Sequence, residues 1–141
     1  MIDFIYGTLY KIGFTHPLHP AITHFPMGMV FGGFLFALIA YLLRHQDLTK
    51  AASYCFLTAL IFVPPTVVLG YMDWQFKFEG EWNYIIRNKM VLAAVLFILL
   101  CISVFTGGKE KVVTTRKLLI YFLCALTCVG LGFMGGELQY G

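Results

Sequence analysis

The chain has 141 residues, 60% of them hydrophobic and only 12% charged. A soluble domain is about a quarter charged, and a mean hydropathy of +0.81 likewise excludes a water-soluble globule. The length leaves room for one domain over residues 1–141, and the small net charge of +3 gives no argument for nucleic-acid binding.

Residues 1–18 read as an interfacial lead-in. Ile2, Ile5, Leu9 and Ile12 recur at roughly helical spacing with Lys11 as the one cation, the pattern of a membrane-surface helix. The first long apolar run, residues 25–43, opens through His19-Pro20-Ala21-Ile22-Thr23-His24-Phe25-Pro26. Three of the four histidines (His16, His19, His24) fall within nine residues there, between Pro17, Pro20 and Pro26. Prolines restrain the backbone, and titratable side chains at a bilayer boundary are costly unless paired, solvated or ligating. A preorganised site is the expectation. The run is too long, and its flanks too proline-rich, for a cleaved signal peptide.

Three further runs carry no Asp, Glu, Lys or Arg: residues 51–72, 90–108 and 118–136. Each is close to the ~20 residues that cross a ~30 Å hydrocarbon core. Helices are the open-ended way to satisfy every backbone group in lipid. The expected fold is therefore all-α: an integral-membrane antiparallel four-helix bundle with a short N-terminal interfacial segment. Pro64-Pro65 falls inside the second run and is expected to free carbonyls one turn earlier. Cys55, Cys101, Cys124 and Cys128 all lie in apolar runs and read as small hydrophobes. There is no CxxC or CxxCH spacing, and no nucleotide-binding or hydrolase motif.

Orientation follows the basic residues. Arg44, Lys50, Lys109, Lys111, Arg116 and Lys117 lie in the first and third connections, against Lys11, Lys77, Arg87 and Lys89 on the other side. The bias places both termini outside the cytoplasm.

In such a bundle the polar residues converge on the outer face. Helix 1 begins with His19 and His24, helix 2 ends at Asp73-Trp74, helix 3 is entered through Arg87-Asn88-Lys89, and helix 4 ends in Glu137 and Tyr140. His24, Asp73 and Glu137 are expected near one another. His24, with a helix N-terminus disfavouring its charged form, is the candidate to touch a redox ligand or relay a proton. Asp73 would orient it and Arg87 balance the charge. His19 joins His24 as a candidate metal ligand. The plainer reading makes Trp74, Trp82, Tyr71, Tyr84 and Tyr140 an interfacial belt, lets Arg87 and Lys89 snorkel, and uses Gly28/Gly32 and Gly132/Gly136 for helix contact.

The outer-face residues resemble a bacterial family of small four-helix membrane proteins, the "domain of unknown function 2231". The resemblance rests on His19-Pro20, His24-Phe25-Pro26, Gly70-x-x-Asp73-Trp74 and Gly135-Gly136-x-x-x-Tyr140. Many members carry a further histidine near the start of helix 3, where this chain has Arg87-Asn88-Lys89. Members look like modules beside or fused to cytochrome c and Rieske domains. The resemblance therefore implies a subunit of respiratory electron transfer in the bacterial inner membrane, alongside cytochrome or other membrane subunits.

Two functions compete. One is a redox subunit with haem b or a quinone at the outer face, where imidazole suits iron and glycines and aromatics suit a flat ring. His19, His24, Asp73, Trp74, Arg87, Glu137 and Tyr140 would line that site. A second haem ligand would have to be Met72, Met90, Met134 or a group from another protomer, whereas a quinone needs only one or two hydrogen-bonding groups. The other function is a non-catalytic structural subunit of a larger membrane complex. Copper(I) handling by His19, His24, Met27 and Met29 is a lesser alternative.

Overall fold

The computed structural model describes Gly7, Thr8, Lys11, Gly13 and residues 18–77, 80–106 and 112–140. The lead-in's apolar positions Ile2, Ile5, Leu9 and Ile12, and also His16, lie outside the described residues. Four helices make up the fold: α1 (Leu18–Leu43), α2 (Gln46–Lys77), α3 (Tyr84–Thr106) and α4 (Thr115–Tyr140). All four are long and apolar enough to cross a membrane, over Ile22–Leu43, Gln46–Phe76, Tyr84–Thr106 and Thr115–Glu137. Each helix runs past its uncharged stretch. Charged groups such as Asp73, Lys89 and Lys117 lie inside the helical ends rather than in the connections.

Each helix packs against two neighbours in the ring α1–α2–α3–α4–α1, and α1 with α2 forms the most extensive interface. The inward stripe of every helix alternates steps of three and four. On α1 it runs His19, Thr23, Pro26, Val30, Gly33, Ala37, Ala40; on α2, Thr49, Ala52, Phe56, Ala59, Val63, Thr66, Gly70, Asp73. On α3 it runs Ile86, Lys89, Ala93, Leu96, Leu100, Ser103; on α4, Lys117, Tyr121, Cys124, Cys128, Leu131, Gly135. All these positions are buried or half-buried. A mean step of 3.5 keeps a stripe facing its neighbour, as in coiled coils.

Apolarity does not tell inside from outside here, because lipid replaces water. Side-chain size does so in part. Ala37, Ala40, Ala52, Ala59, Cys124 and Cys128 are buried, while Phe105 and Phe133 are 80% and 68% exposed. Small inward residues let helix backbones approach, the usual arrangement in membrane bundles. The approach is tightest at Gly33, where a Cβ would lie 2.8 Å from Phe56 Cε2 and 2.9 Å from Cys55 Cβ. Mid-bundle, the Phe56 and Tyr121 rings stack at 3.8 Å and 9°. Lys117 Nζ sits 5.8 Å from the centroid of the Tyr121 ring, and Tyr41 Oη meets Thr115 Oγ1 at 3.1 Å. The last of these ties α1 to α4 at the end where α1 finishes and α4 begins.

Local chemistry sets the connections. Arg44 takes a left-handed φ of 57° just after α1. Asn83 Oδ1 accepts the Ile85 N–H, and Thr114 Oγ1 accepts that of Lys117. Both are N-cap bonds satisfying otherwise orphaned donors. Between α2 and α3, Gly80 adopts φ 73° and donates its N–H to the Trp74 carbonyl at 3.2 Å. Trp74 Nε1 donates to the Glu81 carbonyl at 2.9 Å. The turn is held down beside the end of α2.

Candidate functional site: a polar cluster at the terminal end

The end of the bundle where α1 begins and α4 finishes replaces apolar packing with His19, Thr66, Gly70, Asp73 and Lys89, all on the inward stripes. The α1 N-terminus explains the first contact. The opening N–H groups of a helix have no partner within it. Pro20 has none to offer, and the His19 N–H donates to Asp73 Oδ2 at 2.8 Å. Asp73, 5% exposed, thus caps α1 from α2. Its carboxylate stands where the helix dipole is positive.

The His19 ring is fixed in turn. Its Nδ1 lies 2.9 Å from the Thr66 carbonyl oxygen. A carbonyl only accepts, so Nδ1 carries the proton and Nε2 the lone pair of the neutral ring. Among the described residues Nε2 has no hydrogen-bond partner. The ring lies flat on α2 because residue 70 is glycine: a Cβ there would come 2.9 Å from Nδ1 and 3.1 Å from Cε1. Thr23 Oγ1 donates to the His19 carbonyl at 2.6 Å, and Thr66 Oγ1 to that of Phe62 at 2.7 Å. Helix α2 continues through Pro64 and Pro65. Those prolines remove the N–H groups that would bind the carbonyls of residues 60 and 61. The carbonyl that receives the histidine, that of Thr66, is about one and a half turns further on.

Lys89 completes the cluster from α3. It is half-buried, and its charge acts on both His19 and Asp73. From α4, Gly135 presents backbone, with Lys89 Nζ 3.8 Å from where a Cβ would lie. The four helices thus bring together an imidazole, a carboxylate, an ammonium and a bare backbone surface.

Burial pushes the His19 imidazole below its ordinary value of 6.5, and the Lys89 charge acts the same way. The bond to Thr66 and the Asp73 charge oppose the shift. The neutral ring therefore prevails at pH 7. An unfolded chain protonates this histidine first as pH falls, so the unfolded state binds more protons between the two pKa values and stability rises with pH across that window. Thermal midpoints of the detergent-solubilised protein are expected to fall as pH drops below 6.5, and to fall less in His19→Gln. Equal pH slopes in the two proteins would overturn this assignment.

The other expected residues are placed as follows. His24 is exposed. Five residues at about 100° each set it about 140° round α1 from His19, and no hydrogen bond joins it to Asp73 among the described residues. Glu137 and Arg87 are exposed. Trp74 is half-buried, 5.7 Å from the Tyr71 ring and 4.9 Å from that of Trp82 by centroids. The Tyr140 side chain lies outside the described residues. Among the described residues no group of three or more His, Cys, Asp or Glu is arranged to hold a metal ion. Thr66, Gly70 and Lys89 were not expected in the site.

Four membrane-length helices, a ring of small-residue contacts and one polar end define a multi-pass membrane protein of the four-helix class. Residues 15–141 match the family described as "Predicted membrane protein (DUF2231)". The chain belongs to that family. No curated protein and no solved structure matches it.

Proposed function

We propose that this protein is a subunit of respiratory electron transfer that holds a quinone head group at the terminal end of the bundle, with His19 as its principal contact. The observation that carries the reading is the bond from Nδ1 to the Thr66 carbonyl. It leaves Nε2 to accept a hydrogen bond from a hydroquinone hydroxyl. Haem b fits the donor set less well. The site offers one imidazole beside an ammonium, His24 faces away from it, and His45 is at the opposite end. The basic bias of the connections supports placing the site on the outer side of a bacterial inner membrane. There a cytochrome subunit would take the electrons.

The two tryptophans, Trp74 and Trp82, pack together beside Asp73, so their fluorescence reports on this end alone. Titrating the purified protein in nanodiscs with a short-tailed benzoquinone is expected to give saturable quenching. His19→Ala should weaken it about tenfold, the worth of one hydrogen bond of about 1.4 kcal/mol. The absorption spectrum should show no Soret band. Unaltered quenching in the variant would overturn the role of His19. A Soret band lost in the variant would make the ligand haem, and neither signal would leave a structural subunit.

A further inference from the structure

We infer that Lys89 is a second contact of this site, donating to the far oxygen of a ring that carries its two oxygens at opposite ends; the inference rests on the quinone reading above. Helices α1 and α3 lie diagonally across the bundle and do not pack on each other. His19 and Lys89 therefore enter this end of the bundle from opposite sides. Each lies against bare backbone of a different neighbour. The His19 ring rests on α2, where a Cβ at Gly70 would come 2.9 Å from Nδ1. The Lys89 ammonium rests beside α4, where a Cβ at Gly135 would lie 3.8 Å from Nζ. The two groups are still close enough for the lysine charge to act on the imidazole.

Their hydrogen-bonding capacities are opposite. With Nδ1 bound to the Thr66 carbonyl, Nε2 of the neutral ring only accepts. The ammonium donates up to three hydrogen bonds and accepts none. Among the described residues no hydrogen bond or ion pair engages it. A flat ring set between the two meets an acceptor at one side and a donor at the other. One hydroxyl donates to Nε2, and the oxygen across the ring accepts from Nζ. A 1,4-dihydroxy ring meets both demands at once. A ring with a single hydroxyl, or with two on neighbouring carbons, leaves its far end without an oxygen for Lys89.

The test is titration calorimetry of the protein in nanodiscs, with oxygen excluded and empty nanodiscs as the blank. Three probes are compared: a short-tailed alkylhydroquinone, the alkylphenol that lacks its second hydroxyl, and the alkylcatechol whose hydroxyls are adjacent. The wild type is expected to bind the hydroquinone at least about tenfold more tightly than the other two, the step that one hydrogen bond to a charged donor gives. Lys89→Met should bring the three affinities together by weakening the hydroquinone alone, and Lys89→Arg should keep the preference. Hydroquinone and phenol bound equally by the wild type, a catechol bound as tightly as the hydroquinone, or a preference that survives Lys89→Met would overturn the role of Lys89 and leave the quinone reading standing. Failure of all three probes to bind would overturn both.

Discussion

Replacing Asp73 by alanine is expected to destabilise the bundle by at least the about 1–3 kcal/mol that a buried donor left without its acceptor costs. Two losses combine. The His19 N–H, now capped at 2.8 Å, would be left without an acceptor, which costs about 1–3 kcal/mol when buried. Lys89 would keep its half-buried charge while losing the carboxylate that acts on it. Asp73→Asn retains an acceptor for the N–H and should cost less than Asp73→Ala. The double variant Asp73→Ala, Lys89→Met removes both charges and should recover part of the loss. Thermal unfolding in detergent, read against the wild type and the Lys89→Met single variant, gives the coupling between the two positions. An Asp73→Ala protein within about 0.5 kcal/mol of the wild type, the ordinary scatter of surface changes, would mean that α1 does not depend on this cap.

Gly70→Ala is expected to dissociate function from stability. The added methyl would sit 2.9 Å from Nδ1, closer than Cβ contacts occur, so the His19 ring must swing away from the Thr66 carbonyl. A ring on two torsions can move. The fold then loses one hydrogen bond, about 0.5–1.5 kcal/mol, and gains up to ~1 kcal/mol from replacing glycine by alanine inside a helix. These nearly cancel, and the thermal midpoint should change little. Quinone quenching should weaken by up to the roughly tenfold expected of His19→Ala, because the imidazole has left its place. Nitrogen-15 spectra of labelled histidine would show the cause directly: one Nδ1–H tautomer for His19 in the wild type, a mixture in the variant. A single unaltered tautomer would mean that α2 gives way rather than the ring.

Much of this was readable from the residues alone. The four uncharged runs marked the helices, and the up-down order gathered His19, Asp73 and the Gly135 segment at one end. The ends of the helices were less legible, because a run stops at the first charge while a helix continues through it. Lys89 reads as a snorkelling cation for that reason. The stripe Ile86, Lys89, Ala93, Leu96, Leu100 would have placed it inward. His24 drew attention because it starts an apolar run, which fixes its depth in the bilayer but not its bearing around α1. The Thr66 carbonyl was out of reach in principle, since a backbone acceptor leaves no trace in residue type. Gly70 carried a signal only as part of Gly70-x-x-Asp73-Trp74, whose spacing puts the bare position and the carboxylate on one face of α2.

The stacked Phe56 and Tyr121 rings bear on bioenergetics. Around them Val30, Val63, Leu96, Leu100 and Cys124 fill the middle of the bundle, a section with no Asp, Glu, His, Lys or Arg among these residues. Charge transfer across a membrane interior needs a chain of ionisable or hydrated steps. On the proposed quinone reading, a proton released at the His19 end would leave on the side where it was released, and the aromatic plug would be the part of the molecule that keeps the two sides apart.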